Sequence, residues 1–348
     1  METTITAGLP VEIGKIDKEL GKLWESSEDT KTRASLINLA IYTEDPNAIA
    51  SNTELVAEVA GQHACRAVLV LANPEAEVSQ ALAWISAHCH VVGKGRQICS
   101  EQITFQLDGQ SAEALPNIVF SHLDSDLPFC LWWQAPFREP LDEKLWIWVD
   151  RLIFDSATWE NPAAQFAITA RIASLGESSI VLCDLNWTRL YNCRFALASL
   201  FDHPAALPSL PKIDSVKIHY APGCRTTAIF LLGWLGGQLG WTLQHLLSSD
   251  FFMAADGRHI AFEMTEVDGP AISLVQLSTD DSCFELSRRE GSDFFHGRIQ
   301  ASGYPESVST LRAGRGKVTD VLLAELSRGG RHPLYAKALS VILPLFGK

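Results

Sequence analysis

The residues Asp184-Leu185-Asn186-Trp187-Thr188-Arg189, with Arg194 shortly after, bring together a carboxylate, an amide, an indole and two cations. They follow an apolar run (178–185, SSIVLCDL) and precede a helical pattern, so they fall at the carboxyl end of a strand. α/β sheets display functional side chains at such corners. Two readings stand: Arg189 and Arg194 hold a ligand, or they form structural ion pairs with acids such as Asp184 or Asp202. A second cluster is Gly314-Arg315-Gly316-Lys317, just before a helix at Val318 and just after Arg312. Free N–H groups at a helix start, with Arg312, Arg315 and Lys317 nearby, suit a phosphate. Residues 287–348 carry ten Lys/Arg against five Asp/Glu, so the segment is locally basic. The competing reading is a solvated loop rim.

Two further patterns carry less. His88 and His90 flank Cys89 and point to one face of a strand, but no second cluster completes a zinc site. Gly233, Gly236, Gly237 and Gly240 recur at i, i+3, i+4 and i+7 in an apolar helix. Each interior Gly costs about 1 kcal/mol relative to Ala, and close approach of a neighbouring element is the natural offset. GxxGGxxG is not the GxGxxG turn of a dinucleotide site. GxSxG, HExxH and a full P-loop are absent from the sequence.

The elements that must position these residues follow from periodicity. Helices are expected over 16–24, 33–42 and 53–61, then a buried strand over 66–72 and alternating strands over 81–91 and 97–107. A helix over 111–122, a strand over 128–134 and a helix from Leu141 running into Leu152–Asp155 come next. Asn161 caps a helix over 162–175, with Pro162 at its first position. A strand over 178–185 leads to a helix over 187–201 capped by Asn186, a strand over 214–220 and the Gly-rich helix. Short alternating stretches over 259–311 read as an antiparallel sheet, and two helices over 317–346 close the chain. The fold class expected is mixed α/β (α+β) in two domains. The first is 1–165, with a helical lead-in over 1–62; the second is 166–348.

Composition limits the partners. The chain has 348 residues, about twice a single-domain length. With 28 Lys+Arg against 41 Asp+Glu its formal charge is −13, the wrong sign for nucleic acid, so a small molecule or a protein is the expected partner. Eight cysteines form no CxxC pair, and most lie in apolar runs, so free thiols and a reducing cytoplasm are expected. Met1 to Gly14 has neither the basic start nor the apolar core of a signal peptide. Residues 226–249 carry no formal charge, but the apolar heart, Ala228 to Trp241, is only 14 residues long. That is roughly 21 Å of helix against about 30 Å of hydrocarbon, so a buried helix is expected rather than a membrane span.

Five blocks, in this order, resemble a known family: Glu101-Gln102-Ile103-Thr104; Asp126-Leu127-Pro128 with Leu131-Trp132-Trp133; Asp150-Arg151-Leu152-Ile153 with Asp155-Ser156; Asp184-Leu185 with Trp187-Thr188-Arg189-Leu190; and Gly233-Trp234-Leu235 with Leu239-Gly240-Trp241. The family is OpcA, the glucose-6-phosphate dehydrogenase assembly proteins of bacteria. The resemblance implies a non-catalytic partner that binds the NADP-dependent dehydrogenase opening the oxidative pentose phosphate pathway and promotes its assembly or activity. It implies no catalytic residue, cofactor or metal of the chain's own. The blocks map onto Asp126, Trp132, Trp133, Asp150, Arg151, Asp155, Trp187 and Arg189, which join Asp184 and Arg194 as candidate interaction residues. Photosynthetic members link activation to thiol redox state; here Cys283 is the only cysteine after residue 224, which argues against a C-terminal cysteine pair. The alternative is a sugar-phosphate-binding enzyme or sensor that uses the Arg312–Lys317 segment and the Asp184–Arg189 corner, and a phosphorylated metabolite would be its partner.

Overall fold

A computed structural model of the chain describes residues 8–25, 31–33, 35–92, 96–175, 180–245, 250–314 and 316–346. It has two compact units that exchange segments: Met1–Phe154, Gln165–Cys183 and Val318–Arg331 form the first, and Asp155–Ala164, Asp184–Lys317 and His332–Lys348 the second. The architecture is mixed α/β, as expected. The first unit opens with β1 (Leu9–Val11), α1 (Ile16–Glu25), β2 (Lys31–Arg33), β3 (Ile37–Thr43), α2 (Ala48–Ala60) and β4 (Cys65–Asn73). The hairpin β5 (Gln80–Val92) and β6 (Arg96–Asp108) follows, then α3 (Leu115–Ser121), β7 (Phe129–Trp133), α4 (Glu143–Trp146), β8 (Arg151–Phe154), α5 (Pro162–Ala173) and β9 (Val181–Asp184).

These strands make a nine-stranded sheet in the order β1-β5-β6-β4-β3-β7-β8-β9, with β2 beside β6. β6, β4, β3, β7 and β8 are parallel neighbours. From β3 the chain steps outward through β4 to β6, then returns to the other side of β3 and steps outward again through β7 and β8. That is the order of a doubly wound sheet, and the reversal leaves a crevice at the carboxyl ends of β3 and β7. β3 and β4 are buried along nearly their whole length, with Leu39, Ile41, Val68 and Leu69 fully enclosed, as a central parallel sheet requires.

The second unit begins with α6 (Leu185–Arg189), α7 (Tyr191–Leu200), β10 (Ser215–Tyr220) and α8 (Arg225–Leu239). β11 (Thr242–His245), β12 (Asp250–Met253), β13 (His259–Glu266), β14 (Ile272–Ser278), β15 (Cys283–Ser287), β16 (Phe294–Gln300) and β17 (Ser307–Arg312) follow. α9 (Val318–Ser327) returns to the first unit and α10 (Pro333–Ile342) closes the second. The sheet order is β11-β12-β13-β10-β14-β15-β16-β17. β14 to β17 form the expected antiparallel meander, whereas β13 pairs parallel to β10. β16 alternates strictly, with Phe295, Gly297 and Ile299 inward and Phe294, His296, Arg298 and Gln300 outward.

Several expectations are corrected. The segment predicted as a helix over 33–42 is strand β3, so the helical lead-in over 1–62 is interrupted by three strands. Ile37–Thr43 is enclosed on both faces between β4 and β7, and such a run shows no alternation to mark it as a strand. The helix expected from Leu141 shrinks to α4. The Asp142 carboxylate caps it, and Asp150 turns the chain into β8 by accepting the Phe129 N–H at 2.8 Å. The helix over 187–201 divides at Leu190, and Asp184, not Asn186, is the cap of α6. Asn161 caps α5 as expected, accepting the Ala164 N–H at 3.1 Å. The expectation of free thiols fails at one place: antiparallel register sets Cys89 opposite Cys99, with Cα atoms 4.0 Å apart, and the two form a disulfide. Burial pushes the Cys65 and Cys193 thiols up to about 12, so these remain inert apolar fillers.

The glycine stripe is a packing surface. α8 is enclosed nearly throughout and lies against α10. Among the described residues, no helix is long and apolar enough to cross a membrane. A Cβ at Gly233 would come within 2.5 Å of Ile342 Cγ2 and 2.8 Å of the Ala338 carbonyl oxygen, and one at Gly236 within 3.1 Å of Val341. At Gly237 the nearest atom would be 3.5 Å away, an ordinary contact. Gly240 is not interior: it ends α8 in the left-handed conformation, φ 69°. The two positions therefore predict opposite signs. Gly237→Ala raises the chemical-denaturation midpoint, by up to about 1 kcal/mol of helix propensity. Gly233→Ala lowers it by about 1–3 kcal/mol, because the backbone of α10 must move.

Candidate functional site

The Asp184–Arg189 corner is assembled from the short turn at 155–158, α6, α7 and α8. Asp184 Oδ1 accepts the N–H groups of Asn186 (2.9 Å) and Ser156 (3.1 Å). Asn186 Nδ2 donates to Ser156 Oγ at 3.1 Å, and its Oδ1 accepts the Thr227 hydroxyl of α8 at 2.7 Å. All four side chains are buried. Asp184 Oδ2 has no hydrogen-bond partner among the described residues. Burial pushes its carboxyl up to about 7, against the pull of the Ser156 and Asn186 hydrogen bonds and with help from Asp155.

The cations of the corner are engaged as well. Arg189 forms a two-pronged pair with Asp155, one prong at 2.8 Å, while Asp155 also caps the 155–158 turn through the Ala157 N–H. Arg194 is buried, lies 3.6 Å over the Trp187 ring and donates to the Trp187 carbonyl at 2.7 Å. Trp187 in turn packs edge-on against Phe230 and Tyr335. Of the two readings left open by the sequence, this geometry favours structural pairing. Arg189 takes Asp155 rather than Asp184 or Asp202 as its acid.

The other expected residues disperse through the first unit. Asp126 is an exposed loop residue, Trp132 is buried in β7, and Asp150 accepts the Phe129 and Val181 N–H groups. Arg151 donates to the carbonyls of Gly330 and Glu325 and lies 3.6 Å from the fully buried Glu325 carboxylate. In the basic segment Arg312 ends β17 and is exposed, as is Lys317; among the described residues neither makes an ion pair. Arg315 lies outside the described residues. His88 and His90 direct their ring nitrogens to Gln102 and to the Ala57 carbonyl.

Trp133, among the motif residues, lines a cleft. A cleft of about 490 Å³ opens in the first unit at the carboxyl ends of β3 and β7, where the sheet reverses. Its walls include Tyr42, Glu44, Trp133, Phe137, Arg138 and Trp146. Tyr42 and Trp133 are register partners whose rings stack at 3.8 Å, and the Tyr42 hydroxyl donates to Glu44 at 3.0 Å. Burial and then Glu44 push the Tyr42 phenol up, so it stays neutral. Arg138 grips Glu44 with both guanidinium nitrogens. Doubly wound dinucleotide sites need a glycine-rich turn and a helix N-terminus at this position. Here the turn is Thr43-Glu44-Asp45-Pro46-Asn47, without glycine, and Asp45 itself bonds the Asn47 and Ala48 N–H groups. The N–H groups a pyrophosphate would need at the start of α2 are therefore already occupied. Sequence reasoning missed Tyr42, Glu44, Phe137, Arg138 and Trp146; reading INLAIYT as a strand would have located the crevice.

Comparison with known proteins divides the chain in two. A family model described as the glucose-6-phosphate dehydrogenase subunit N-terminal domain matches residues 56–171, and one described as the corresponding C-terminal domain matches 180–339. Two curated relatives, each named putative OxPP cycle protein OpcA, come from Synechococcus elongatus and a Synechocystis species. Each is 27% identical, over 309 and 316 residues, covering 82% of this chain. The chain spans 68% of the first relative and 64% of the second. Among solved structures, it is similar to an aldose-aldose oxidoreductase from Caulobacter crescentus (TM-score 0.49, 12% identity, 89% of this chain and 96% of that one). A biliverdin reductase from Synechocystis gives TM-score 0.48 at 12% identity, covering 88% and 97%. Likenesses at that level carry no argument about this chain.

The corner generates a pH test. Asp184 has a folded pKa of about 7 against an ordinary value of 3.8, so the folded state holds its proton more tightly. Its contribution is fully present below about pH 4 and is lost as pH rises through about 7. Asp184→Asn keeps an oxygen for the two N–H groups and does not titrate. The stability of the native chain relative to this variant therefore falls between about pH 4 and 7, at about 1 kcal/mol per pH unit, and levels off above. Denaturation midpoints across that range check it.

Proposed function

The chain belongs to the OpcA family of glucose-6-phosphate dehydrogenase assembly proteins, and on that premise we propose that it acts as a non-catalytic partner of that dehydrogenase, favouring its assembled, active state. The family match over both halves of the chain carries this reading. On this reading the chain works beside the dehydrogenase in the cytoplasm.

The site geometry supports it in two ways. The family-motif residues Asp155, Asp184, Trp187 and Arg189, with Arg194 beside them, are engaged with one another and with the backbone, as parts that hold a surface in shape rather than groups that meet a substrate. The crevice where a doubly wound sheet would seat a dinucleotide is lined by Glu44 paired to Arg138, and the turn beside it lacks glycine and has its Asn47 and Ala48 N–H groups taken by Asp45. Activation by a partner needs only that it bind the active state more tightly. A 100-fold preference corresponds to about 2.7 kcal/mol, within reach of a few interface side chains.

The test is to titrate the purified chain into the dehydrogenase of the same organism while following NADPH formation. We expect a saturable rise in rate or in apparent substrate affinity that disappears when the chain is removed. A gain that outlasts its removal points to a transient assembly factor. No change in either parameter rejects the proposal. Saturable stabilisation of the isolated chain by a sugar phosphate, abolished by Lys317→Ala, would favour the metabolite-binding alternative.

A further inference from the structure

Helix α7 has an outer face unlike that of a solvated helix. Its inner face seats on the sheet of its own unit: Cys193, Ala196, Leu197 and Leu200 are buried, and Gly297 of β16 lies so close to Leu200 that a Cβ there would come within 2.5 Å of Leu200 Cδ2. The outer face carries Tyr191, Phe195 and Ala198 at i, i+4 and i+7. Tyr191 is 54% exposed and Phe195 57%, and their rings stack at 6.4 Å. The single charged residue of α7 is Arg194, and it is turned inward under Trp187. A surface helix ordinarily puts its charges outward. Here an aromatic ridge faces solvent with no charge among its residues.

The second observation is what borders the ridge. Asn192, next to Tyr191, donates from Nδ2 to the Ala313 carbonyl at 3.2 Å. Gly314, at φ 74°, approaches so closely that any Cβ would overlap the Asn192 amide. The turn that follows β17 is thus tied to α7, and it carries Arg312 and Lys317, both exposed. Arg288 holds the same turn from the other side through the Gly314 carbonyl. Around the turn, Arg288, Arg289, Arg312 and Lys317 outnumber Glu290 and Asp293, on a chain whose formal charge is −13.

We infer that the α7 ridge, Tyr191 and Phe195 with the basic turn at Arg312 and Lys317, is a docking surface for a partner protein that presents apolar side chains flanked by Asp or Glu. Aromatic residues and Arg are what concentrated binding energy uses, and a charged rim selects the partner by sign. A second copy of this chain is the poorer occupant: a two-fold contact would set one basic rim against the other. The inference rests on the proposed role as a dehydrogenase partner and names the surface of that role.

The experiment measures binding of the full chain to the dehydrogenase of the same organism by calorimetry, at low and high salt. Tyr191→Ser with Phe195→Ser exchanges exposed groups, and unchanged circular dichroism and thermal midpoint confirm folding. We expect the double variant to weaken binding by about tenfold or more. Lys317→Glu should weaken it chiefly at low salt, with a shallower salt dependence than the native chain. Native-like affinity in both variants overturns this surface while leaving the partner role intact. Failure of the native chain to bind overturns the partner role and this surface with it. Sedimentation with anionic vesicles that the double variant abolishes would overturn the protein assignment in favour of a membrane surface.

Discussion

A buried carboxylate must be supplied with hydrogen bonds by its neighbours, and the second unit is arranged to do so for Asp184. The Ser156 and Asn186 N–H groups reach one oxygen, and Asn186 extends the network to the Thr227 hydroxyl on α8. Three segments distant in sequence are thereby fixed at one point. From that point α6 leads into α7, whose register places Arg194 under Trp187 and Tyr191 and Phe195 outward. The aromatic ridge continues directly from the polar corner, since α6 ends at Arg189 and α7 begins at Tyr191. Both of these donors to Asp184 are backbone N–H groups, so replacing the Asn186 side chain keeps them and instead strips the buried Ser156 and Thr227 hydroxyls of a partner, a costlier defect than loss of an exposed pair.

The first unit makes a different use of a familiar scaffold. Its parallel strands run in doubly wound order, and the reversal between β3 and β7 creates a cleft. The turn beside that cleft carries Glu44 and Asp45 where phosphate-binding glycines would be needed, and Glu44 is held by Arg138 and Tyr42. A doubly wound sheet has a crevice as a consequence of its topology, whether or not its residues can read a cofactor. Aromatic packing of Tyr42, Trp133, Phe137 and Trp146 then supports the loops around it.

Much of this was legible in the sequence, for identifiable reasons. The glycine stripe announced close helix packing, which holds at Gly233 and Gly236, while Gly237 has ordinary contacts and Gly240 ends the helix. The meander from β14 to β17 announced itself by alternation. Ile37–Thr43 and Arg151–Phe154 did not, since strands enclosed on both faces carry no two-residue period. The corner residues were found as a cluster, but their pairing was not, because Asp155 comes from a turn about 30 residues earlier in the chain. The cleft was hidden for the same reason: Tyr42 and Trp133 meet only through parallel register. The α7 ridge could have been noticed as a helix whose sole charge is Arg194.

The polar residues of the Asp184–Arg189 corner are engaged with their own architecture, whereas the outer face of α7 is apolar and basic-rimmed. The most direct measurement is the mass distribution of the same organism's glucose-6-phosphate dehydrogenase in dilute solution, alone and with this chain added. The account predicts a discrete species containing both proteins, with the dehydrogenase shifted toward its larger oligomer. Unchanged dehydrogenase masses at saturating concentrations of the chain would contradict it.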